Sequence, residues 1–443
     1  MTVLFACSAT AGPVKPGSPA VATPAPAPRS NSAAPALVSP APRPAPPEAT
    51  VRPGTRGVGD RSVRVALGFP RTDTRVDATG GWRLDSGFEG REFLARGTPG
   101  EPWVIERNGL RLRGVRRDGA VTNWFAEPIV ARAGGDGFLV WNGKRWRGEL
   151  VFSAGDTGLV VVNRLSLDDY LKGVVPLEIG TTRTMAELAA VQAQAVAARS
   201  FAVTRLGSTV RWDLRAAVVD QVYGGVDAET TVGTRAVEST TGLVLTYNGR
   251  VIYAPYSSTC GGTTAGADEV WRAEGEPWLR SVSDRVPGSD RYFCDISSRF
   301  RWTRTLLAPE VDALVSRYLR QYAKVPASGP GTVRDVVVDQ RTASGRVGTL
   351  ALLTGTGTWR LRGNEIRNVL RTPGGEILPS TYFTVETTTG SSGALDRLVI
   401  HGRGNGHGVG MCQFGAIGRA RAGQDFREIL LAYYPGTRIA TAE

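Results

Sequence analysis

The sequence predicts an α+β protein, rich in strands, with one central Ala-rich helix and a C-terminal Gly-rich loop accompanied by short helices. Three observations predict it. Short apolar runs divided by Gly and Asp turns fill Ser62 to about Leu167. Residues Met185 to Thr204 then change to Ala, Leu, Gln and Glu with no Gly or Pro, the composition of a helix. Beyond them, strand-like and helix-like segments alternate up to the glycines of Gly402–Gly410.

Each element has a local reason. Val63–Leu67, Trp103–Ile105, Gly137–Trp141 and Gly158–Val162 are strand-like, and Asn142-Gly143 after the third is a strong hairpin signal. Together they predict a twisted, partly closed sheet in a β-rich part spanning 61–167. In the helix that follows, Thr184 is the expected N-cap, with Glu187 completing a capping box. Gln192, Ala195 and Arg199 recur at intervals of three and four and so share one face. Val218–Tyr223 and Gly242–Pro255 return to strand character, with helical Glu229–Thr240 between them. Ala308–Tyr322 reads as an amphipathic helix carrying Val311, Leu314, Val315 and Leu319. Val333–Val338, Leu350–Leu353 and Leu398–Ile400 are further strands, and Asn364–Leu370 is a short helix. No short internal repeat is present. Residues 168–440 form the expected core.

The first 60 residues differ in kind. From about Ala11 to Asp60 the chain is crowded with Pro, Ala and Ser, and cannot bury enough apolar surface to offset its ordering entropy. An extended tether is expected there. Leu4-Phe5-Ala6-Cys7 before it reads like the end of a lipoprotein signal, which makes Cys7 the candidate lipidation site. Only six residues precede that Cys, fewer than a full signal needs, so a chance match stays open beside lipidation. No stretch reaches the roughly 20 apolar residues of a spanning helix, so the membrane is expected to be met only through a lipid.

At 41% apolar and 21% charged residues the bulk is globular, and its net charge of +12 favours an anionic partner. No helix-turn-helix, zinc-finger or aromatic RNA-binding signature accompanies that charge, so nucleic acid is not expected. The chain has four Cys, none in a Cys-x-x-Cys pair, and two His, so neither a metal site nor a cofactor is expected. In an exported protein, Cys260 and Cys294 are the expected disulfide. The Gly402–Gly410 run lacks the Lys-Ser/Thr ending of a phosphate loop and the spacing of a dinucleotide motif. Its glycines let backbone approach a ligand, so Gly406, His407 and Gly408 either line a binding cleft or form a tight loop packed on the core.

The most informative stretch is Asp168-Asp169-Tyr170-Leu171-Lys172-Gly173-Val174-Val175-Pro176-Leu177-Glu178-Ile179-Gly180. Glu178 ends a strand-like or short helical segment among Val174, Val175, Leu177 and Ile179, where an apolar surround raises a carboxyl pKa and suits it to general-acid work. The plainer reading is that it caps the helix that follows. This stretch, the helix ending Ala197-Ala198-Arg199, the run His401–Ala416 and the ending Ile429–Thr437 occur in the order found in the stage II sporulation protein D family, which includes amidase enhancers of bacterial cell walls. The resemblance spans roughly Ser62 to Ile439, with Ile179-Gly180 standing where that family typically has Met-Pro.

The resemblance implies an exported cell-envelope protein acting on peptidoglycan glycan strands stripped of their peptides. It implies a lytic transglycosylase, which breaks the bond between N-acetylmuramic acid and N-acetylglucosamine and leaves a 1,6-anhydro end. Intramolecular attack needs only one proton-transferring carboxyl, here Glu178. Arg199 is expected to approach Glu178 and orient it or hold a sugar carbonyl, or else to form an ion pair that only fixes the helix, and Arg280, where relatives often carry Lys, is either a substrate contact or a surface charge. Tyr223 and Trp271 either stack on sugars or belong to the core, and Cys412 stands where relatives often have Ser. The other function the resemblance carries is a non-catalytic wall-binding protein that stimulates an amidase.

Overall fold

The computed structural model describes residues 61–442 apart from 88–91, 208, 210, 272–274, 373 and 392, so the expected tether and Cys7 lie outside the described residues. Its helices are α1 (Leu167–Ile179), α2 (Leu188–Val203), α3 (Thr231–Glu238), α4 (Ala267–Val270), α5 (Ala308–Tyr318), α6 (Asn364–Val369), α7 (Gln413–Arg421) and α8 (Phe426–Tyr433). Strands outweigh helices, and the fold is α+β.

Two sheets make up the β-rich part. One has seven strands in the order Leu214–Arg215, Ser62–Gly68, Leu159–Ser166, Glu149–Ala154, Ile129–Ala133, Trp82–Ser86, Glu92–Gly97. The other has five, Arg111–Arg116, Trp103–Asn108, Asp73–Ala78, Leu139–Trp141 and Lys144–Trp146. The expected hairpin is present: Trp141 pairs with Lys144, and Asn142 and Gly143 between them take φ of 51° and 71°, the left-handed pair such a two-residue turn needs. Val63, Leu84 and Leu150 from the first sheet meet Val76, Ile105 and Leu139 from the second in one core, which continues through Tyr170, Val174 and Val196 to Met411 and Tyr434. Burial on this scale contributes about 25 cal/mol per Å² of apolar surface removed from water.

A second core sits inside the chain's downstream half. Leu306, Val315, Val336, Leu350, Leu361, Val369, Phe383 and Leu398 pack together, drawn from two three-stranded sheets and from α5 and α6. The sequence alone places this stretch in the single expected core of residues 168–440, whereas its side chains pack into a core of their own.

One strand expectation fails. Within Val218–Tyr223 no strand forms; the short strand is Leu214–Arg215. The backbone from Gln221 to Gly224 is committed to α1 instead, since Val222 N–H donates to the Glu178 carboxylate and Gly224 N–H to the Gly173 carbonyl. Apolar composition alone cannot reveal that use of the backbone.

Candidate functional site

Glu178 lies in the last turn of α1, a helix of 13 residues, so of the two expected forms, strand-like or short helical, the helical one holds. Ser166 starts the helix, its hydroxyl accepting the Asp169 N–H at 3.1 Å. Gly180 ends it at φ 110°, a conformation that a side chain resists. Val174, Val175 and Ile179 are buried, so the turn carrying Glu178 is anchored from beneath while Leu177 is exposed.

The Glu178 carboxylate accepts the Val222 N–H at 2.8 Å, and no ion pair to it is found among the described residues. Burial raises its pKa from the ordinary Glu value, and the Val222 hydrogen bond offsets only part of that shift. It does not cap the helix that follows. A 3₁₀ turn, Met185–Glu187, leads into α2 instead, and the Glu187 carboxylate closes it by accepting the Thr184 N–H at 3.3 Å while pairing with Arg421 of α7 at 2.6 Å.

The strip facing Glu178 is held tightly. Gly173 lets Tyr223 lie against α1: a Cβ there would stand 2.6 Å from the Tyr223 ring and 2.8 Å from the Gly225 carbonyl oxygen. Tyr223 donates its hydroxyl to Asn163 at 2.8 Å. Gln221 is buried and joins three elements, accepting from Tyr170 at 3.1 Å and donating to Ala198 O at 3.2 Å and Tyr256 Oη at 3.0 Å. Tyr223 is therefore core rather than a sugar platform. Gln221 is the site residue that sequence reasoning missed, and its apolar neighbours gave no hint of the network.

Arg199 does not meet Glu178. Its guanidinium is fully buried and pairs with Asp168 at 2.8 Å, with further hydrogen bonds to the Leu243 and Val237 carbonyls. Because α1 and α2 pack antiparallel, Arg199 faces the start of α1 while Glu178 stands at its end, about 15 Å along the axis at 1.5 Å per residue. The shared helical face was legible, but the direction of packing was not.

The Gly-rich loop packs on the core. A Cβ on Gly406 would meet the Ser257 Cβ at 2.7 Å, and one on Gly408 the Arg346 guanidinium at 2.4 Å. His407 Nδ1 accepts the Val409 N–H at 3.0 Å, and its ring lies 5.2 Å from that of Trp271. Burial, with Arg367 and Arg346 nearby, lowers the His407 pKa to about 4, so the imidazole is neutral at neutral pH. The loop reaches the Glu178 neighbourhood through the strand Tyr256–Ser257, whose Tyr256 hydroxyl takes the Gln221 bond and whose Ser257 hydroxyl accepts the Gly408 N–H at 3.2 Å. Arg280 is exposed in the stretch after α4.

Cys260 and Cys294 come together as free thiols, Sγ to Sγ at 3.5 Å, not as a joined pair. A disulfide requires about 2.05 Å. The space is shared with a third thiol, Cys412, whose Sγ accepts the Cys260 N–H at 3.1 Å, and with the buried Asp284.

A family model described as stage II sporulation protein matches residues 155–247, the span of α1, α2 and the Gln221 strip, and one described as a domain of unknown function matches 290–410, the second core. An uncharacterized protein of Brachyspira hyodysenteriae is 30% identical over 85% of this chain and 92% of its own length. The stage II sporulation protein D of Bacillus subtilis is 31% identical over 64% of this chain and 76% of its own length. The amidase enhancer of Bacillus subtilis is 33% identical over 61% of this chain, which spans 40% of that longer protein. The chain belongs to the stage II sporulation protein D family.

Proposed function

We propose that this protein is a peptidoglycan lytic transglycosylase of the cell envelope that cleaves peptide-free glycan strands, with Glu178 as its one acid/base. The observation that carries the reading is the state of that carboxyl: raised by burial, fixed through one oxygen by Val222 N–H, and without a neutralising cation among the described residues. Such a group holds a proton to higher pH than an ordinary Glu and can deliver it.

In the proposed reaction the protonated Glu178 gives its proton to the glycosidic oxygen as the bond to muramic C1 breaks. The muramic C6 hydroxyl then closes onto C1, and the Glu178 carboxylate takes the hydroxyl proton. No water is consumed, and the carboxyl returns to its starting state. A second carboxylate, which glycoside hydrolysis requires as nucleophile or water base, is unnecessary. His407, neutral and engaged through Nδ1, supports the loop rather than transferring the proton. Gly406 and Gly408 act through it as packing positions, and Arg280 is the exposed cation offered to the strand.

Incubation with peptide-free glycan and mass analysis of the products tests the reading; 1,6-anhydro ends are expected. The second reading, a wall-binding protein that stimulates an amidase, draws on similarity to the Bacillus subtilis amidase enhancer and on Ile179-Gly180 in place of the family's Met-Pro. Acceleration of an amidase with no anhydro product would favour it.

A further inference from the structure

The thiol cluster has a geometry that the glycan reaction does not use. Sγ of Cys260, Cys294 and Cys412 and a carboxylate oxygen of Asp284 all lie within 4.8 Å of one another, and all four residues are buried. Two of the separations, 3.5 Å between the Cys260 and Cys294 sulfurs and 3.7 Å from the Cys260 sulfur to Asp284 Oδ2, match tetrahedral edges. Metal–sulfur bonds of about 2.3 Å set a sulfur–sulfur edge at roughly 3.8 Å, and a metal–oxygen bond of about 2.0–2.2 Å sets a sulfur–oxygen edge at roughly 3.5–3.7 Å, so both separations lie within about 0.3 Å of a tetrahedron. We propose that Cys260, Cys294, Cys412 and Asp284 form a closed, structural site for a thiophilic divalent cation, Zn²⁺ foremost.

The surroundings suit such a site. Cys412 is the N-cap of α7, and its sulfur accepts N–H groups from Cys260 at 3.1 Å and Gly415 at 3.3 Å, the environment of a thiolate ligand. Asp284 divides its two oxygens. Oδ1 accepts the Tyr433 hydroxyl at 2.6 Å with Arg419 Nε at 3.4 Å, while Oδ2 faces the sulfurs. Outer partners of this kind orient a ligand and offset its charge. Gly415 makes the approach feasible, since a Cβ there would stand 2.6 Å from Asp284 Oδ2 and 2.0 Å from the Tyr433 oxygen. Binding would release the thiol protons and leave three thiolates and one carboxylate around the dication, with Arg419 as the adjacent cation.

A cation here would join three distant segments: the turn after Tyr256–Ser257, the loop carrying Asp284 and Cys294, and the start of α7. The other three ligands lie 24, 34 and 152 residues from Cys260, which is why no spacing rule could assemble all four from sequence. Four protein ligands leave no open position, so the site is structural rather than catalytic.

The test uses the full chain carrying Cys7→Ser, purified without chelator. Metal analysis is expected to find about one zinc per chain, and Co²⁺ added to the chelated protein is expected to give thiolate-to-cobalt charge-transfer bands of tetrahedral type. Chelation is expected to lower the melting temperature and to turn three protected thiols into three reactive ones. Asp284→Asn, which keeps the shape and all three thiols, is expected to bind zinc at least tenfold more weakly. Peptide mapping that joins Cys260 to Cys294, or three reactive thiols with no metal bound after Zn²⁺ is supplied, would overturn the proposal. Neither readout depends on glycan cleavage.

Discussion

Replacing Glu178 with Gln probes the proposed chemistry while leaving its support intact. The amide oxygen can still accept the Val222 N–H, so the strip from Gln221 to Gly224 stays on α1. What disappears is the proton. General acid–base groups contribute about 10²–10⁴-fold, equivalent to about 3–5 kcal/mol of barrier, and the release of anhydro products should fall by that factor. Stability should move the other way. Burial holds the Glu178 pKa above its unfolded value, so the folded protein binds the proton more tightly than the unfolded chain. That advantage is complete below the unfolded pKa and is lost as pH rises through the folded one. Glu178→Gln removes the loss. Its melting temperature should equal the parent's in acid and match or exceed it at neutral pH. Melting curves at both pH values, beside mass analysis of glycan products, read both effects. A Gln variant that cuts at the parental rate, or one that is strongly destabilised at neutral pH, would refute the reasoning.

Arg199→Met should cost about 3–5 kcal/mol, because it leaves Asp168 without the partner of a buried pair; denaturant unfolding measures it, and unchanged stability would contradict the structural role. Gly173→Ala favours the helix by up to about 1 kcal/mol, yet its Cβ would displace Tyr223; cleavage should fall even where circular dichroism shows α1 intact. His407→Gln should leave the pH profile of cleavage unchanged, since an imidazole with a pKa lowered to about 4 does not titrate near neutrality. Removing residues 1–60 should leave the melting temperature nearly unchanged, and mass analysis of the full chain isolated from membranes tests for lipid on Cys7; a large loss of stability on truncation would show that the segment packs on the domain.

Local chemistry in the sequence determined a good deal of this protein. Asn142-Gly143 dictated its hairpin because few residue pairs accept two left-handed conformations in succession. The Ala-rich stretch dictated α2, and Thr184 with Glu187 the 3₁₀ turn that leads into it, because caps and propensities act within one turn of the chain. The apolar neighbours of Glu178 signalled a raised pKa before any contact was known.

The tertiary structure decided what depends on direction and distance. The partner of the Glu178 carboxylate, the Val222 N–H, comes from a strip 44 residues away and follows only from how that strip lies on α1. Arg199 belongs to Asp168 because antiparallel packing reverses which helix ends meet. Gly406 and Gly408 serve contact with Ser257 and Arg346, which lie far away in sequence. The scarcity of Cys was enough to suggest that Cys260 and Cys294 lie together, but nothing in the sequence adds Cys412 and Asp284 to them, since chain separation says nothing about proximity once a core has formed. Short-range stereochemistry is written residue by residue; which distant side chains share a buried space is fixed only when the whole chain packs.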